Sequence, residues 1–184
     1  NHIILNLNNS IDLIYNDVRK FGFIKVFDSD KIHLNSHISR LGPEPLSDKF
    51  NYIYLRKKIV KCKKNIKNFM MDQKYISGLG NIYVNEILFK SSIDPRKLTN
   101  KLSNEQVEQI VFNTKQTLRA SIQLGGSSIR DFNSITGKNG NFQQKFMVYD
   151  RHNKNCRKKT CKGNVKKIYI GNRSTFFCDK CQNN

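Results

Sequence analysis

Acidic residues are scarce in this chain of 184 residues: 14 Asp and Glu stand against 33 Lys and Arg, for a formal net charge of +19. This excess favours a polyanionic partner, because each phosphate that a cation neutralises releases condensed counterions. Long apolar runs are lacking too, which excludes a membrane span, and no charged-then-apolar leader directs secretion. We therefore expect a reducing, cytoplasmic setting and a nucleic-acid partner rather than an anionic lipid surface.

The common catalytic motifs are also missing. The sequence contains no HExxH, no GxxxxGK(S/T) phosphate loop, no GxSxG and no cysteine with a histidine in an evident nucleophile setting. The residues taken alone therefore predict binding parts without a nucleophile.

Four cysteines lie close together near the end of the chain, in two pairs separated by sixteen residues: Cys156, Cys161, Cys178 and Cys181. Two short cysteine loops joined by a spacer long enough for a β-hairpin predict one tetrahedral zinc site. Two disulfides and chance clustering are the alternatives, and the lack of a secretory signature disfavours bridges. His152 is an alternative ligand outside the paired spacing, whereas Cys62 is predicted to be an ordinary buried thiol.

The region from Arg151 onward is strongly basic, since ten Lys and Arg face a single acid, Asp179. This bias predicts that the C-terminal region lies against phosphates. The alternative is a solvated charged surface.

The N-terminal residues predict a piece of β-sheet with three strands, in the segments HIILNLNN, SIDLIYND and RKFGFIKVFD. Three strands without a facing layer leave one apolar side uncovered, so we expect further sequence upstream. The segment LGPEPLSDKF, with two prolines and no periodicity, predicts a linker that ends a domain.

The middle of the chain predicts helices. Short helices begin at Asn51, and a Gly-Leu-Gly turn leads into the helix NIYVNEILF with Asn81 at or next to its N-cap. A third helix starts at a capping box of Ser103 and Gln106 and stops at two glycines. Residues 127–149 predict a long loop, and KKIYIG and STFFC predict a hairpin.

Three places favour contact with nucleic acid. Gly80 and Asn81 open a helix, where unpaired N–H groups and the helix dipole attract phosphate, although such a turn can also be purely structural. Arg173, at the hairpin tip, offers a bidentate fork to a second phosphate. The Arg19-Lys20-Phe21 segment suits insertion into a base stack, although residues alone favour a core position for Phe21.

Several strings together resemble the bacterial formamidopyrimidine-DNA glycosylases over nearly the whole chain: PEPLSDKFN, MDQKYISGLGNIYVNEILF, GGSSIRDF, the GK-x-G-x-FQQ run and RSTFFC-x-x-CQ. The resemblance implies an α+β fold. Residues 1–46 would be the C-terminal part of an N-terminal β-sandwich, residues 47–135 a helix-two-turn-helix domain, and residues 136–184 the end of a lesion loop with a zinc-finger hairpin. One structural zinc and a monomer are implied.

The same resemblance implies DNA repair. The family flips oxidised purines such as 8-oxoguanine out of double-stranded DNA, and an N-terminal proline amine releases the base before β,δ-elimination cuts the strand. That proline and its neighbouring glutamate belong to a front absent from this sequence, so we expect this chain to bind DNA without excising bases. A nucleoid-associated, bacterial cytoplasmic location is implied. The alternative is a non-catalytic, zinc-containing nucleic-acid adaptor. The endonuclease VIII relatives share the scaffold and prefer oxidised pyrimidines, but the long loop and the RSTFFC tail of this chain look more like the purine-directed branch.

Residue roles also follow from the resemblance. Asn81 and Arg173 would hold phosphates, and Arg173 would donate a proton in δ-elimination. Arg19 would face the base opposite the lesion, Lys20 would hold a phosphate, and Phe21 would wedge beside that base, which reverses the core interpretation. The remaining contacts implied are Lys63, Ser128 and Arg130, the last two in a loop over the everted base. Cys156-x4-Cys161 is wider than the two-residue spacing of many relatives, so we expect a wider knuckle with the same metal.

Overall fold

The computed structural model describes residues 3–8, 11–17, 20–127 and 140–183. It is an α+β structure that divides into two compact units, Asn1–Ser39 and Arg40–Asn184. Among the described residues, the strands form two separate two-stranded antiparallel sheets, one in each unit. The described part of the chain has no helix both long and apolar enough to cross a bilayer.

The first unit is built on a β-hairpin. Strand β1 (Ile3–Leu7) pairs with strand β2 (Ile11–Tyr15), with Ile3 opposite Tyr15. A 3-10 turn (Ser29–Leu34) and the short helix α1 (Ser36–Ser39) follow. None of the described residues in this unit is buried, and the apolar side chains of both strands are exposed. The two predicted strands are therefore confirmed, and their apolar residues lack cover within the unit.

The predicted third strand is wrong for the described residues 20–28, which form no strand. The reason is local. The Asp17 carboxylate accepts the backbone N–H groups of Lys20 at 3.0 Å and of Gly22 at 2.6 Å, and Lys20 takes a positive φ of 56°. Side-chain capture of this kind competes with strand pairing, because the captured N–H groups are no longer available to a sheet.

The described residues of the second unit form four α-helices: α2 (Tyr52–Ile59), α3 (Ile66–Met71), α4 (Asn81–Lys90) and α5 (Asn104–Gln123). Side-chain caps start three of them. Asn51 and Asn65 accept backbone N–H groups in the first turns of α2 and α3, and Ser103 forms the predicted capping box with Gln106 before α5. Gly125 and Gly126, both with positive φ, end α5 as predicted.

One apolar core lies among these helices, with α4 packed against both α3 and α5. Its fully buried members include Leu55, Phe69, Ile76, Val84 and Ile87. The Phe69 ring stacks on Tyr75 with ring centroids 4.2 Å apart. Burial of such side chains contributes roughly 1.5–3 kcal/mol each, so the helical part of the unit has its own stabilising core.

The C-terminal hairpin pairs strand β3 (Val165–Ile170) with strand β4 (Arg173–Cys178), as predicted. Its turn residues Gly171 and Asn172 have φ values of 56° and 57°. Positive φ at both positions is the type I′ geometry whose twist matches a two-residue hairpin. Arg173 is therefore the first residue of β4, directly after the tip. A second apolar cluster, which includes Phe89, Val148 and Phe176, joins the hairpin to α4.

The described residues on either side of the gap between α5 and the hairpin pair with each other. Ser127 forms an antiparallel bridge with Asn141, and a 3-10 turn follows at Phe142–Lys145. Gly140 lies so close to this exit that an added Cβ would clash with the carbonyl oxygen of Gly126. The backbone at Gly140 therefore packs directly against the backbone at Gly125 and Gly126.

Candidate nucleic-acid interface and metal centre

The four C-terminal cysteines converge on one point. All four sulfur atoms lie within 4.8 Å of one another, and the Cys156–Cys181 and Cys161–Cys178 sulfur pairs are each 3.7 Å apart. Sulfurs bound at about 2.3 Å to one tetrahedral ion are separated by about 3.8 Å, whereas a disulfide is about 2.05 Å long. All of the cysteines are free. The cluster therefore fits a metal ion, and the disulfide alternative is wrong.

Backbone N–H groups point at three of the four sulfurs. Lys158 donates to Cys156 at 3.4 Å, Gly163 to Cys161 at 3.3 Å and Cys181 to Cys178 at 3.4 Å. Hydrogen bonds from the Cys181 side chain and the Gly163 N–H lower the pKa of Cys161 to about 7, whereas burial raises the pKa of Cys156 and of Cys181. Such donors stabilise thiolate, which is the form that binds metal.

Gly163 is needed for this packing. An added Cβ there would lie 2.7 Å from Asp179 Oδ1 and 2.8 Å from the Cys178 sulfur. Cys62 lies outside the cluster and packs against the helical core. It is only partly buried, so the prediction of an ordinary buried thiol was wrong in degree. His152 is not part of the cluster either.

The turn between α3 and α4 is held by Gln73, which the sequence did not single out. Its Oε1 accepts the Gly78 N–H at 2.6 Å, and its Nε2 donates to the Leu79 carbonyl at 3.0 Å. Gly80 is the N-cap of α4 and supplies no side-chain cap, and an added Cβ would meet nothing within 4 Å. The N-terminal N–H groups of α4 thus stand beside an open backbone surface, as an anion site requires.

Asn81, the first residue of α4, brings this helix terminus to the hairpin tip. Its Nδ2 donates to the Ser174 carbonyl at 3.0 Å, and Ser174 is the neighbour of Arg173 in β4. Arg173 is exposed, and its guanidinium has no ion pair or hydrogen bond among the described residues. The two predicted phosphate contacts, separated by 92 residues in the sequence, therefore share one surface.

Lys67 of α3 lies behind this surface and is fully buried. Its Nζ donates to Thr175 Oγ1 at 2.6 Å, to the Ser174 carbonyl at 3.1 Å and to the Arg173 carbonyl at 3.5 Å. Burial, and then the charge of Arg173, lower the pKa of Lys67 to about 8.

Two polar residues of α4 bond the C-terminal region, one at residues 147–149 and one at strand β4. The Glu86 carboxylate is buried and accepts the backbone N–H groups of Met147, Val148 and Tyr149 at 2.8–2.9 Å. Asn85 accepts the Phe176 N–H at 2.7 Å. Sequence reasoning missed both, although two adjacent polar residues inside the apolar run NIYVNEILF were a usable signal.

Gln182 makes a third connection, close to the metal cluster. It is buried, accepts the Cys178 N–H at 2.9 Å and donates to the Ile93 carbonyl at 2.8 Å. The hydrogen bonds of Lys67, Asn81, Asn85 and Gln182 thus tie the hairpin and Cys178 to the helical part of the unit, and those of Glu86 tie residues 147–149 to α4.

The other predicted contacts are placed as follows. Lys63 is exposed and lines an open groove that also contains Asn68 and Gly171 of the hairpin turn. Lys20 and Phe21 belong to the first unit and are exposed, Phe21 to 85%. Phe21 is therefore not a core residue of that unit. Arg19, Ser128 and Arg130 lie outside the described residues.

Comparison with known proteins identifies relatives over nearly the whole chain. The family model for the formamidopyrimidine-DNA glycosylase H2TH domain matches residues 41–133. The formamidopyrimidine-DNA glycosylase of Oceanobacillus iheyensis is 39% identical over 183 residues, covering 100% of this chain and 65% of the relative. That of Histophilus somni strain 2336 is 41% identical over 182 residues, covering 98% and 66%.

Solved structures agree with this. A Lactococcus lactis FPG mutant in complex with DNA containing Fapy-dG has 35% identity and a TM-score of 0.86, covering 94% of this chain and 63% of that one. MutM (FPG) from Thermus thermophilus has 30% identity and a TM-score of 0.85, covering 98% and 67%. The chain spans about two thirds of the length of the relatives it matches. Because the domain model matches half of the chain and relatives align with nearly all of it, the chain belongs to the formamidopyrimidine-DNA glycosylase family.

Proposed function

We propose that this chain grips damaged double-stranded DNA as the DNA-binding portion of a base-excision-repair glycosylase with apurinic/apyrimidinic lyase activity. The substrates would be oxidised purines such as 8-oxoguanine and formamidopyrimidines, together with abasic sites. The observation that carries the proposal is the meeting of Asn81 and Arg173 on one surface, joined through Ser174. A helix N-terminus and a free guanidinium can each bind a phosphate, and the Asn81–Ser174 hydrogen bond brings the two to one surface.

The neighbours' ligands support this assignment. Lactococcus lactis FPG is described in complexes with DNA containing Fapy-dG and with DNA containing an abasic site, and MutM with DNA containing carbocyclic 8-oxo-G. The net charge of +19 gives this chain the sign that such a partner requires. A cytoplasmic, nucleoid-associated location and a monomeric state belong to the same proposal.

The metal of the cluster is proposed to be one structural zinc ion, held by the four cysteine thiolates. Four thiolates form the closed ligand set of structural zinc sites and leave no open position for a catalytic water. Bound zinc supplies folding free energy to the hairpin. The chain's own residues then orient the tip: the three N–H groups on sulfur hold the knuckles, and Gln182 ties Cys178 to the helices.

The finer domain assignment is part of the proposal. Residues 1–46 complete a β-sandwich, residues 47–135 form the helix-two-turn-helix domain, and residues 136–184 form the lesion-loop end and the zinc finger. The exposed apolar strands of the first unit support the sandwich role, because two strands bury little by themselves.

The remaining site residues are proposed by family resemblance. Arg19 and Phe21 would act at the base opposite the lesion, Lys20 and Lys63 at phosphates, and Ser128 and Arg130 over the everted base. Arg173 would also donate a proton in δ-elimination. None of these residues is an amine nucleophile, so the 184 residues by themselves are proposed to bind DNA and not to excise bases.

Removal of the Arg173 guanidinium tests the grip. We expect Arg173→Ala to weaken binding to an abasic-site duplex by about 1–3 kcal/mol and to reduce the slope of log affinity against log salt by about one unit. Fluorescence anisotropy across a salt titration measures both quantities. Arg119→Ala, which removes an exposed arginine of α5, is the matched control and should leave affinity within about twofold. Unchanged affinity of Arg173→Ala at every salt concentration contradicts the proposal.

The rival is a nucleic-acid adaptor without chemistry, which the lack of recognised catalytic motifs favours. Borohydride trapping on an oxidised-guanine duplex separates the two. The chain should give no covalent adduct alone and should give one after fusion to the N-terminal segment of the Oceanobacillus iheyensis relative. DNA binding without trapping by the fusion would support the adaptor instead.

A further inference from the structure

Lys67 is a buried charge without a counterion. Its side chain is fully buried, and the three acceptors of its Nζ are two backbone carbonyls and a hydroxyl. No carboxylate among the described residues forms an ion pair with it. Burial of an ammonium group costs free energy, and an apolar side chain of similar volume is often more stabilising at such a position. A lysine at this position therefore needs a reason other than stability, and the three N–H donors of its ammonium group supply one.

The acceptors of Lys67 are three consecutive residues that begin at Arg173. Thr175 Oγ1, which accepts from Lys67 at 2.6 Å, also lies 3.2 Å from the Arg173 carbonyl and donates to it. The ammonium and the hydroxyl together hold the backbone of Arg173, while the guanidinium remains free on the surface. The main chain of Arg173 is therefore held in place, while its guanidinium is free to bind a ligand.

The Ser174 carbonyl of the hairpin accepts a hydrogen bond from each of the helices α3 and α4. It accepts Lys67 Nζ from α3 at 3.1 Å and Asn81 Nδ2 from α4 at 3.0 Å. These two helices flank the open turn at residues 78–80. One carbonyl therefore sets the distance between the N-terminus of α4 and the Arg173 backbone.

We propose that Lys67 is a positioning residue for DNA binding, whose ammonium ties residues 173–175 of β4 to α3 so that Arg173 and the α4 N-terminus reach the same stretch of DNA backbone. This inference rests on the proposed DNA-binding function. Lys67 touches no DNA and acts through Arg173. With a pKa of about 8 it keeps its third proton at neutral pH, so all three hydrogen bonds can form.

A double-mutant cycle on an abasic-site duplex tests the inference. Lys67→Met keeps the length of the side chain and removes every donor, and we expect it to weaken binding about tenfold. In the Arg173→Ala background the same change should alter affinity by less than about twofold, because the guanidinium that it positions is already gone. The salt slope of Lys67→Met should fall toward that of Arg173→Ala. Lys67→Gln keeps two N–H donors and should recover part of the lost affinity.

Lys90→Met is the matched control. Lys90 is a half-buried lysine whose Nζ donates to Thr117 Oγ1 at 3.0 Å, between α4 and α5. Its replacement should leave DNA affinity within about twofold, which separates positioning of the hairpin from general loss of a cation. Metal content, measured on every variant, reports whether the cysteine cluster is assembled.

The outcomes are distinguishable. Wild-type affinity in Lys67→Met, or a loss that is fully additive with Arg173→Ala, overturns the positioning role, whereas failure of the unmutated chain to bind duplex overturns the proposed function. If Lys67→Met loses metal, Thr175→Val carries the test: it removes the 2.6 Å acceptor and keeps the side-chain shape. We expect an about threefold loss for Thr175→Val that disappears in the Arg173→Ala background, and additivity there contradicts the proposal.

Discussion

The two units of this chain differ in how their apolar residues are used. In the first unit, two strands pair in register from Ile3 opposite Tyr15 to Leu7 opposite Ile11, yet no described residue is buried. In the second unit, a core around Phe69 and Ile87 is closed to solvent. Strand pairing needs only a neighbouring strand, whereas burial needs a facing layer. The second unit therefore supplies cover for its own apolar residues, whereas the described strands of the first unit have none within that unit.

The units differ in the same way at their candidate DNA contacts. Arg173 in the second unit stands on a backbone held by Lys67 and Thr175. Lys20 and Phe21 in the first unit are exposed, and their backbone is held by the exposed Asp17 carboxylate, which accepts the Lys20 and Gly22 N–H groups. The backbone of Arg173 is tied instead to a fully buried side chain of another element, so the second unit is where a precise grip is expected.

Metal removal should unfold the hairpin of the second unit and leave the first unit unchanged. This is the largest structural change that we expect. Structural zinc contributes about 10–16 kcal/mol of apparent binding free energy in small zinc domains at neutral pH. A chelator should therefore abolish the dispersed amide signals of β3 and β4, while α5 and the β1–β2 hairpin keep theirs. Elemental analysis of the untreated protein should give near-stoichiometric zinc. Hairpin signals that survive complete metal removal would overturn the structural role of the metal.

A matched pair of isoleucines sharpens the contrast in burial. Ile87→Ala removes a fully buried side chain and should lower the free energy of unfolding by about 2–5 kcal/mol. Ile14 is 49% exposed, so Ile14→Ala should change it by no more than about 0.5 kcal/mol. Urea denaturation measures both. Equal losses would show that the strands of the first unit are covered after all.

A pair of acidic residues gives the smallest expected difference. Glu86→Gln places an amide N–H against one of the three backbone donors and should cost about 1–3 kcal/mol. Asp12 in the first unit accepts one exposed hydrogen bond from Asn6, so Asp12→Asn should cost about 0.5 kcal/mol or less. The same denaturation experiment applies. An unchanged free energy of unfolding in Glu86→Gln would contradict the role of Glu86 in holding residues 147–149.

Features that depend on neighbours in sequence were predictable. The Ser103–Gln106 capping box, the Gly171 and Asn172 turn and the cysteine cluster each follow from a short pattern with one physical solution. The third strand failed because the Asp17 carboxylate captures nearby N–H groups, which hydrophobic pattern alone does not reveal.

The buried polar residues that hold the C-terminal region to the helical part were missed for a different reason. Lys67 bonds residues 106–108 positions away, Glu86 bonds residues 61–63 positions away, and Gln182 reaches a carbonyl 89 positions away. Each looks like an ordinary polar residue until the fold places its partner. Asn81 and Arg173 were predicted as separate contacts by pattern and family resemblance, but their meeting at Ser174 required the structure.

Ethylation interference on a duplex with a single abasic site tests the two-point grip most directly. We expect ethylation of phosphates on one strand beside the abasic site to block binding, and we expect Arg173→Ala to remove one part of this pattern while the part due to the α4 N-terminus remains. Binding that no single ethylated phosphate impairs, or a pattern that Arg173→Ala leaves unchanged, would contradict the claim that these two elements hold one stretch of DNA.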